Sequence, residues 1–162
     1  MPKPVAPRHS AEEIDEAFRL DPKTGWVYRR RNNTIIMGAV TMFEGCPYQV
    51  CRIAWCLHHG EWPPLDRYVD HKNGKHHDDR PENLRLATPS QNNFNSNRRG
   101  RYAKGVRYDP RNSDRPWSSR IRFEGIEYHL GNFYTEAEAA AAYLAKAEEF
   151  HGEFAFHNRK GV

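Results

Sequence analysis

Apolar and polar residues alternate in two short stretches of the chain, Gly25-Trp26-Val27-Tyr28 and Gly45-Cys46-Pro47-Tyr48-Gln49-Val50, and a period of two predicts strands. The run from Arg52 to Gly60 reads instead as a helix. Trp55 and Leu57, with Trp62 nearby, are its expected core residues, and His58 or His59 serves the helix end. Earlier, Ser10-Ala11-Glu12-Glu13 is a capping box and predicts a short helix through Phe18. Asn73-Gly74 is the strongest two-residue hairpin signal in the chain, because both central positions of a type I′ turn need positive φ. It predicts one strand ending at His71 and a second near 84–87, with a charged, solvated loop over 75–80 that includes His76, His77, Asp78 and Asp79. Thr88-Pro89 then marks an N-cap with proline at the first helical position, and a helix from about 89 to 97 follows.

A fourth helix announces itself near the C-terminal end. Thr135 and Glu138 form another capping box, alanines fill the interior, and Gly152 supplies a stop. Ala140, Tyr143, Leu144, Ala147 and Phe150 recur on one face, which predicts core packing against a sheet and implies no cofactor. Glu148, Glu149 and Glu153 keep the opposite face acidic.

The helix after Pro89 holds Asn92, Asn93, Asn95 and Asn97, residues of poor helix propensity, so contacts rather than local folding explain them. Upstream stand Asp70-His71-Lys72-Asn73-Gly74 and Pro81-Glu82-Asn83-Leu84-Arg85. The chain here resembles the HNH endonucleases, in the phage and homing-type branch whose third motif residue is Asn. Asp70-His71 matches the first motif, Asn83 the second and Asn92 the third, at intervals of 12 and 9 residues. The resemblance implies a ββα-metal fold with one divalent cation held by Asp70 and Asn92. His71 would be the general base and Asn83 its partner in the catalytic motif, the Asn83 amide bridging backbone groups to hold the loop and His71. The family often has Asn where this chain has Asp79.

That chemistry suits the residue types. A neutral imidazole accepts a proton from water near neutral pH, and a divalent cation offsets charge on phosphoryl oxygens and the departing 3′ oxygen. Asp70 and Asn92 offer only oxygens, which favours Mg2+, with Mn2+ as its substitute, and no zinc is expected. Adjacent strand residues point to opposite faces, so Asp70 and His71 serve one site only if the strand ends or bends there.

Composition bounds the rest. The chain has 162 residues, 11 prolines and a mean hydropathy of −0.96, enough for two small domains with little core in either. No apolar run approaches a membrane span and Met1-Pro2-Lys3-Pro4 lacks a secretory pattern, so a cytoplasmic protein with no membrane partner is expected. Cys46, Cys51 and Cys56 cannot pair completely and have no evident fourth zinc ligand; reduced thiols are the default.

The net charge of +4 is concentrated. Residues 98–122 carry nine Lys or Arg against two Asp, a local +7, which leaves the remainder at −3. Arg98, Arg99, Arg101, Lys104, Arg107, Trp117, Arg120 and Arg122 are the candidate DNA contacts, with Tyr102 and Tyr108 interleaved. Lys104-Gly105-Val106-Arg107-Tyr108, Trp117 to Arg122, Leu130-Gly131-Asn132-Phe133 and the Thr135 helix resemble an Apetala2-type DNA-binding domain. That family implies a three-stranded antiparallel sheet backed by one helix, with the sheet in the major groove; Arg107, Trp117 and Arg122 sit at matching positions. Pro116 and Glu127 replace basic residues of plant members, so their sequence preference does not carry over.

The expectation is therefore an α+β chain with an HNH domain over 1–97, a basic connector over 98–103 and an Apetala2-type domain over 104–162. It would hydrolyse phosphodiester bonds in double-stranded DNA as a free-standing homing-type endonuclease of a bacteriophage. One site per chain implies nicking by a monomer, or a double-strand break by a dimer. Two rivals stay open: a DNA-binding regulator with an inactive HNH domain, and a structure-specific nuclease.

Overall fold

In a computed structural model, residues 5–95 and 101–155 are described. Asn97, Arg98 and Arg99, named above, lie outside the described residues. The chain divides into two compact units, Met1–Asn92 and Asn93–Val162.

The first unit opens with α1 (Ala11–Ala17), whose start is fixed by the reciprocal Ser10–Glu13 capping box. Phe18 ends that helix and begins β1 (Phe18–Leu20), which pairs antiparallel with β2 (Val27–Arg29). A second hairpin joins β3 (Val40–Phe43) to β4 (Cys46–Gln49), and α2 (Val50–His59) follows without a gap. The third hairpin pairs β5 (Tyr68–His71) with β6 (Leu84–Ala87), and α3 (Pro89–Asn95) begins two residues later. Val50 belongs to α2 and not to the strand that the alternation predicted.

Two-stranded ribbons are marginal alone, so the three hairpins depend on a common core. Ile14, Phe18, Val27, Tyr48, Val50, Ile53, Ala54, Cys56, Val69 and Leu84 form it, with Trp55, Leu57 and Trp62 packed at its margin as expected. Trp26 lies outside it, about half exposed. Arg52 is buried as well and donates to the carbonyls of Pro63 (2.7 Å) and Arg67 (3.1 Å), tying α2 to the segment that leads into β5.

The type I′ expectation at Asn73-Gly74 is wrong. Gly74 has φ +68° but Asn73 is not among the residues with positive φ, and Gly74 N–H donates to His71 O at 2.8 Å, closing a turn over 71–74. Adjacent positive φ values occur instead at Glu44-Gly45, between β3 and β4, and at Glu124-Gly125 further on. The reason is that Asn73 is recruited by side-chain bonds across a long loop, which hold its backbone in an ordinary conformation.

The second unit holds a three-stranded antiparallel sheet in the order β7 (Val106–Tyr108), β8 (Trp117–Phe123), β9 (Ile126–Phe133). Helix α4 (Glu136–His151) is capped by Thr135 and Glu138 and stopped by Gly152. Ile121, Tyr143, Ala147 and Ala155 make its core, with Tyr128, Leu130, Leu144 and Phe150 around them. Ala139, rather than Ala140, is the fully buried alanine of the first turns.

Partners across an antiparallel ladder share a face. Ile121 pairs with Tyr128 on the α4 side, so Arg120 and Arg122 point away from α4; Arg107 joins them through its partner Ser118. Trp117, by the same alternation, belongs with Ser119 and Ile121. It packs against Tyr102 (5.1 Å) and Tyr108 (4.9 Å) and does not share the face of the three arginines.

Candidate active site

The site builds outward from the β5–β6 register. Asp70 lies opposite Arg85, and their side chains meet as a buried ion pair, Arg85 Nε donating to Asp70 Oδ2 at 2.9 Å. His71, the last residue of β5, lies opposite Leu84, and its ring meets Asp79, with Nε2 2.8 Å from Asp79 Oδ1. Both members of that second pair are buried, each side chain only 7% exposed. Alternation along the strand thus gives the two neighbours different partners. The ring of exposed His76 lies edge-on to His71 at 5.8 Å.

The loop that brings Asp79 to His71 is closed by a knot of side chains. Asn83 Nδ2 donates to Asp78 O (2.7 Å) and to Asn73 Oδ1 (3.1 Å), while its Oδ1 accepts from Asn73 N–H (3.0 Å). The Asn83 amide is therefore spent on holding the loop. Asp78 accepts from Arg80 Nε (2.6 Å), Arg80 Nη2 (2.7 Å) and Asn73 Nδ2 (2.6 Å). These bonds, led by the one from Arg80, hold its carboxyl at about 2, below the ordinary range of an aspartate. Lys72 N–H donates to Asn83 O at 2.8 Å and continues the ladder past the strand ends.

Behind the loop sits the β1–β2 turn. A Cβ on Gly25 would lie 2.5 Å from Arg80 N and 2.9 Å from both N and C of Asp79, so the turn approaches that backbone as closely as only glycine permits. Cys51 of α2 feels the same carboxylate: burial first, and the Asp79 charge second, push its thiol up to about 12. It is therefore a neutral thiol at physiological pH. Asp78 and Asp79 are not the solvated loop residues the sequence suggested; His76 and His77 are exposed.

Asn92 stands half-buried on α3, its N–H donating to Thr88 O at 2.9 Å. Among the described residues no group of three or more His, Cys, Asp or Glu could hold a metal ion. A cation at Asp70 and Asn92 would thus rest on few protein ligands, all oxygens, the donor set that a hard cation keeping its waters accepts. Asp70 is suited to that duty as a buried carboxylate already facing one cation, the Arg85 guanidinium.

The local chemistry is a buried imidazole beside a buried carboxylate, within one hairpin followed by a helix. Residues 48–94 match the HNH endonuclease family. The matched segment includes Asp70, His71, Asn83 and Asn92. A protein of Acanthamoeba polyphaga mimivirus, named as an uncharacterized HNH endonuclease, is 40% identical over 96 residues. That alignment covers 59% of this chain and 49% of the relative, so the chain spans about half the length of the curated relative it matches. No solved structure matches.

The candidate DNA contacts there are scattered. Arg120 pairs with Glu127 at 3.1 Å, Arg122 Nε donates to Gly125 O at 3.2 Å, and Arg107 is exposed. Lys104 Nζ donates to Phe94 O at 2.6 Å, both residues lying within the second unit. Arg101 lies over the Tyr102 ring at 5.5 Å. The sequence reading missed Asp79 and Arg85. A departure from the family pattern marked the first; the register of the two predicted strands would have revealed the second.

Proposed function

We propose that the chain is a metal-dependent endonuclease that hydrolyses phosphodiester bonds in duplex DNA, with His71 as general base. The observation that carries this reading is His71 at the end of β5, hydrogen-bonded to Asp79 at 2.8 Å and next in the chain to the buried carboxylate of Asp70, inside the segment similar to HNH endonucleases. A divalent cation on Asp70 and Asn92, Mg2+ by the hardness of those oxygens, would supply charge neutralisation at the phosphoryl and leaving oxygens. His71 takes the proton of the attacking water; Asn83 keeps the loop and hence the ring in place. Asp70, whose charge is balanced by Arg85 in this state, contributes the anionic ligand.

The second unit is proposed to bind duplex DNA in the manner of an Apetala2-type sheet. Arg107, Arg120 and Arg122 on the face away from α4 support this, as does the basic run over 98–122. Trp117 is not part of that face. A single active site supports nicking by a monomer, and a homing-type role in a phage genome fits the pairing of a nuclease with a DNA-binding module. No helix among the described residues is long and apolar enough to cross a membrane.

The test is cleavage of supercoiled DNA by the purified chain with Mg2+ or with chelator, beside His71→Ala. Mg2+-dependent nicking that falls roughly 10²- to 10⁴-fold in the variant is expected. Tight duplex binding without cleavage would refute the enzyme and favour a DNA-binding regulator.

A further inference from the structure

We infer that Asp79 is the positioning residue of His71: its carboxylate accepts a hydrogen bond from Nε2–H and so fixes the imidazole tautomer in which Nδ1 carries the lone pair. The inference rests on the reading of His71 as general base and names the atom that does the work.

The argument is one of donors and acceptors. A neutral imidazole donates from one nitrogen and accepts at the other, whereas an ionised carboxylate only accepts. At 2.8 Å, with both side chains buried, the Nε2–Asp79 Oδ1 contact is a hydrogen bond that water does not replace. The proton therefore sits on Nε2. Proton abstraction from water must then occur at Nδ1, because it is the nitrogen with an in-plane lone pair. An amide at position 79 would not decide this, since either end of it could turn to the ring; the carboxylate allows one arrangement only.

A bland structural pair is the competing account. Buried ion pairs are weak contributors to stability, and the 72–83 loop is already closed by the bonds of Asn73, Asp78, Arg80 and Asn83. Asp79 has no part in that knot. What the knot and Gly25 achieve together is to fix the backbone of Asp79 between Asp78 and Arg80, so that its carboxylate is held against the ring. Cys51, neutral beside it, offers no rival anion to the imidazole.

The tautomer can be read without turnover. Imidazole ¹⁵N shifts of the full chain, recorded above the His titration range, should show His71 as the Nε2–H form alone. Asp79→Ala and the near-isosteric Asp79→Asn should each add signals of the Nδ1–H form. In plasmid nicking, Asp79→Ala should lose about 10- to 100-fold in kcat with KM unchanged, and Asp79→Asn should lose less, because part of its population keeps an acceptor on Nε2. A purely structural role would move stability and leave the tautomer ratio alone. An Nδ1–H signal in the parent, or a folded variant that keeps both the single tautomer and kcat within about two-fold, would overturn the proposal. If the parent cleaves no DNA, the nuclease reading falls, while the ¹⁵N shifts still decide the tautomer.

Discussion

Alanine at Gly25 should destabilise the first unit well beyond alanine at Gly60, although both glycines have φ +75°. The shared conformation contributes a similar penalty to each, about 1–2 kcal/mol for an L-residue in the left-handed region. The surroundings differ. A Cβ at Gly60 meets nothing within 4 Å, but at Gly25 it lies 2.5 Å from Arg80 N and 2.9 Å from Asp79 N and C. Those are backbone atoms of a loop pinned by the Asn73–Asp78–Asn83 bonds, so no rotamer change relieves the overlap. Overpacking of this kind adds about 1–3 kcal/mol, which puts Gly25→Ala near 2–5 kcal/mol and Gly60→Ala near 1–2 kcal/mol. Urea unfolding followed by tryptophan fluorescence reads the difference, since Trp26, Trp55 and Trp62 all lie in the first unit and both variants share the Trp117 background. Because the atoms displaced belong to the backbone of Asp79 and Arg80, DNA nicking should fall in Gly25→Ala and persist in Gly60→Ala. Equal destabilisation of the two variants would refute the claim that the β1–β2 turn clamps the loop that carries Asp79.

Asp78, drawn down to about 2 by Arg80 and Asn73, adds stability that is full above about pH 4 and vanishes as the pH falls towards 2; Asp78→Asn should cost about 1 kcal/mol at pH 6 and much less at pH 2.5, as measured by urea titrations at both. Burial, and then the charge of Lys104, lower the pKa of His151, so the folded second unit resists its protonation and should lose stability as the pH drops below about 6.5. His151→Phe, which keeps a ring stacked on Phe94, should flatten that dependence between pH 7 and 5 in thermal melts. Arg85→Leu should cost roughly 3–5 kcal/mol by removing the guanidinium that pairs with the buried Asp70 charge, and Asp70→Asn in the same chain should recover much of it, a double-mutant cycle by urea unfolding being the check. Arg107→Ala or Arg122→Ala should weaken duplex binding evenly across sequences and lower the slope of log K against log salt by about 1, measured by anisotropy.

Local rules in the sequence were enough for every element whose ends are set by its own residues. Ser10–Glu13 and Thr135–Glu138 marked two helix starts, Thr88-Pro89 a third, and the strands flanking the 72–83 loop followed from the Asn73-Gly74 turn signal, although the turn itself is of another type. The motif residues Asp70, His71, Asn83 and Asn92 were legible too, because fixed spacing on a hairpin and helix is a property of the chain. What sequence could not supply was whatever depends on atoms far apart in the chain or on competition between bonds. Asn73-Gly74 carries the letters of a type I′ turn, yet tertiary bonds to Asp78 and Asn83 outweigh that local preference. Trp117 reads as a DNA contact beside Arg107 and Arg122, but strand register turns it to the other side. Asp79 looked like one more charge in a solvated loop. Only the closure of that loop, with Gly25 behind it and His71 in front, makes it a buried partner of the imidazole, because burial and hydrogen-bond direction are set by packing that no local pattern encodes.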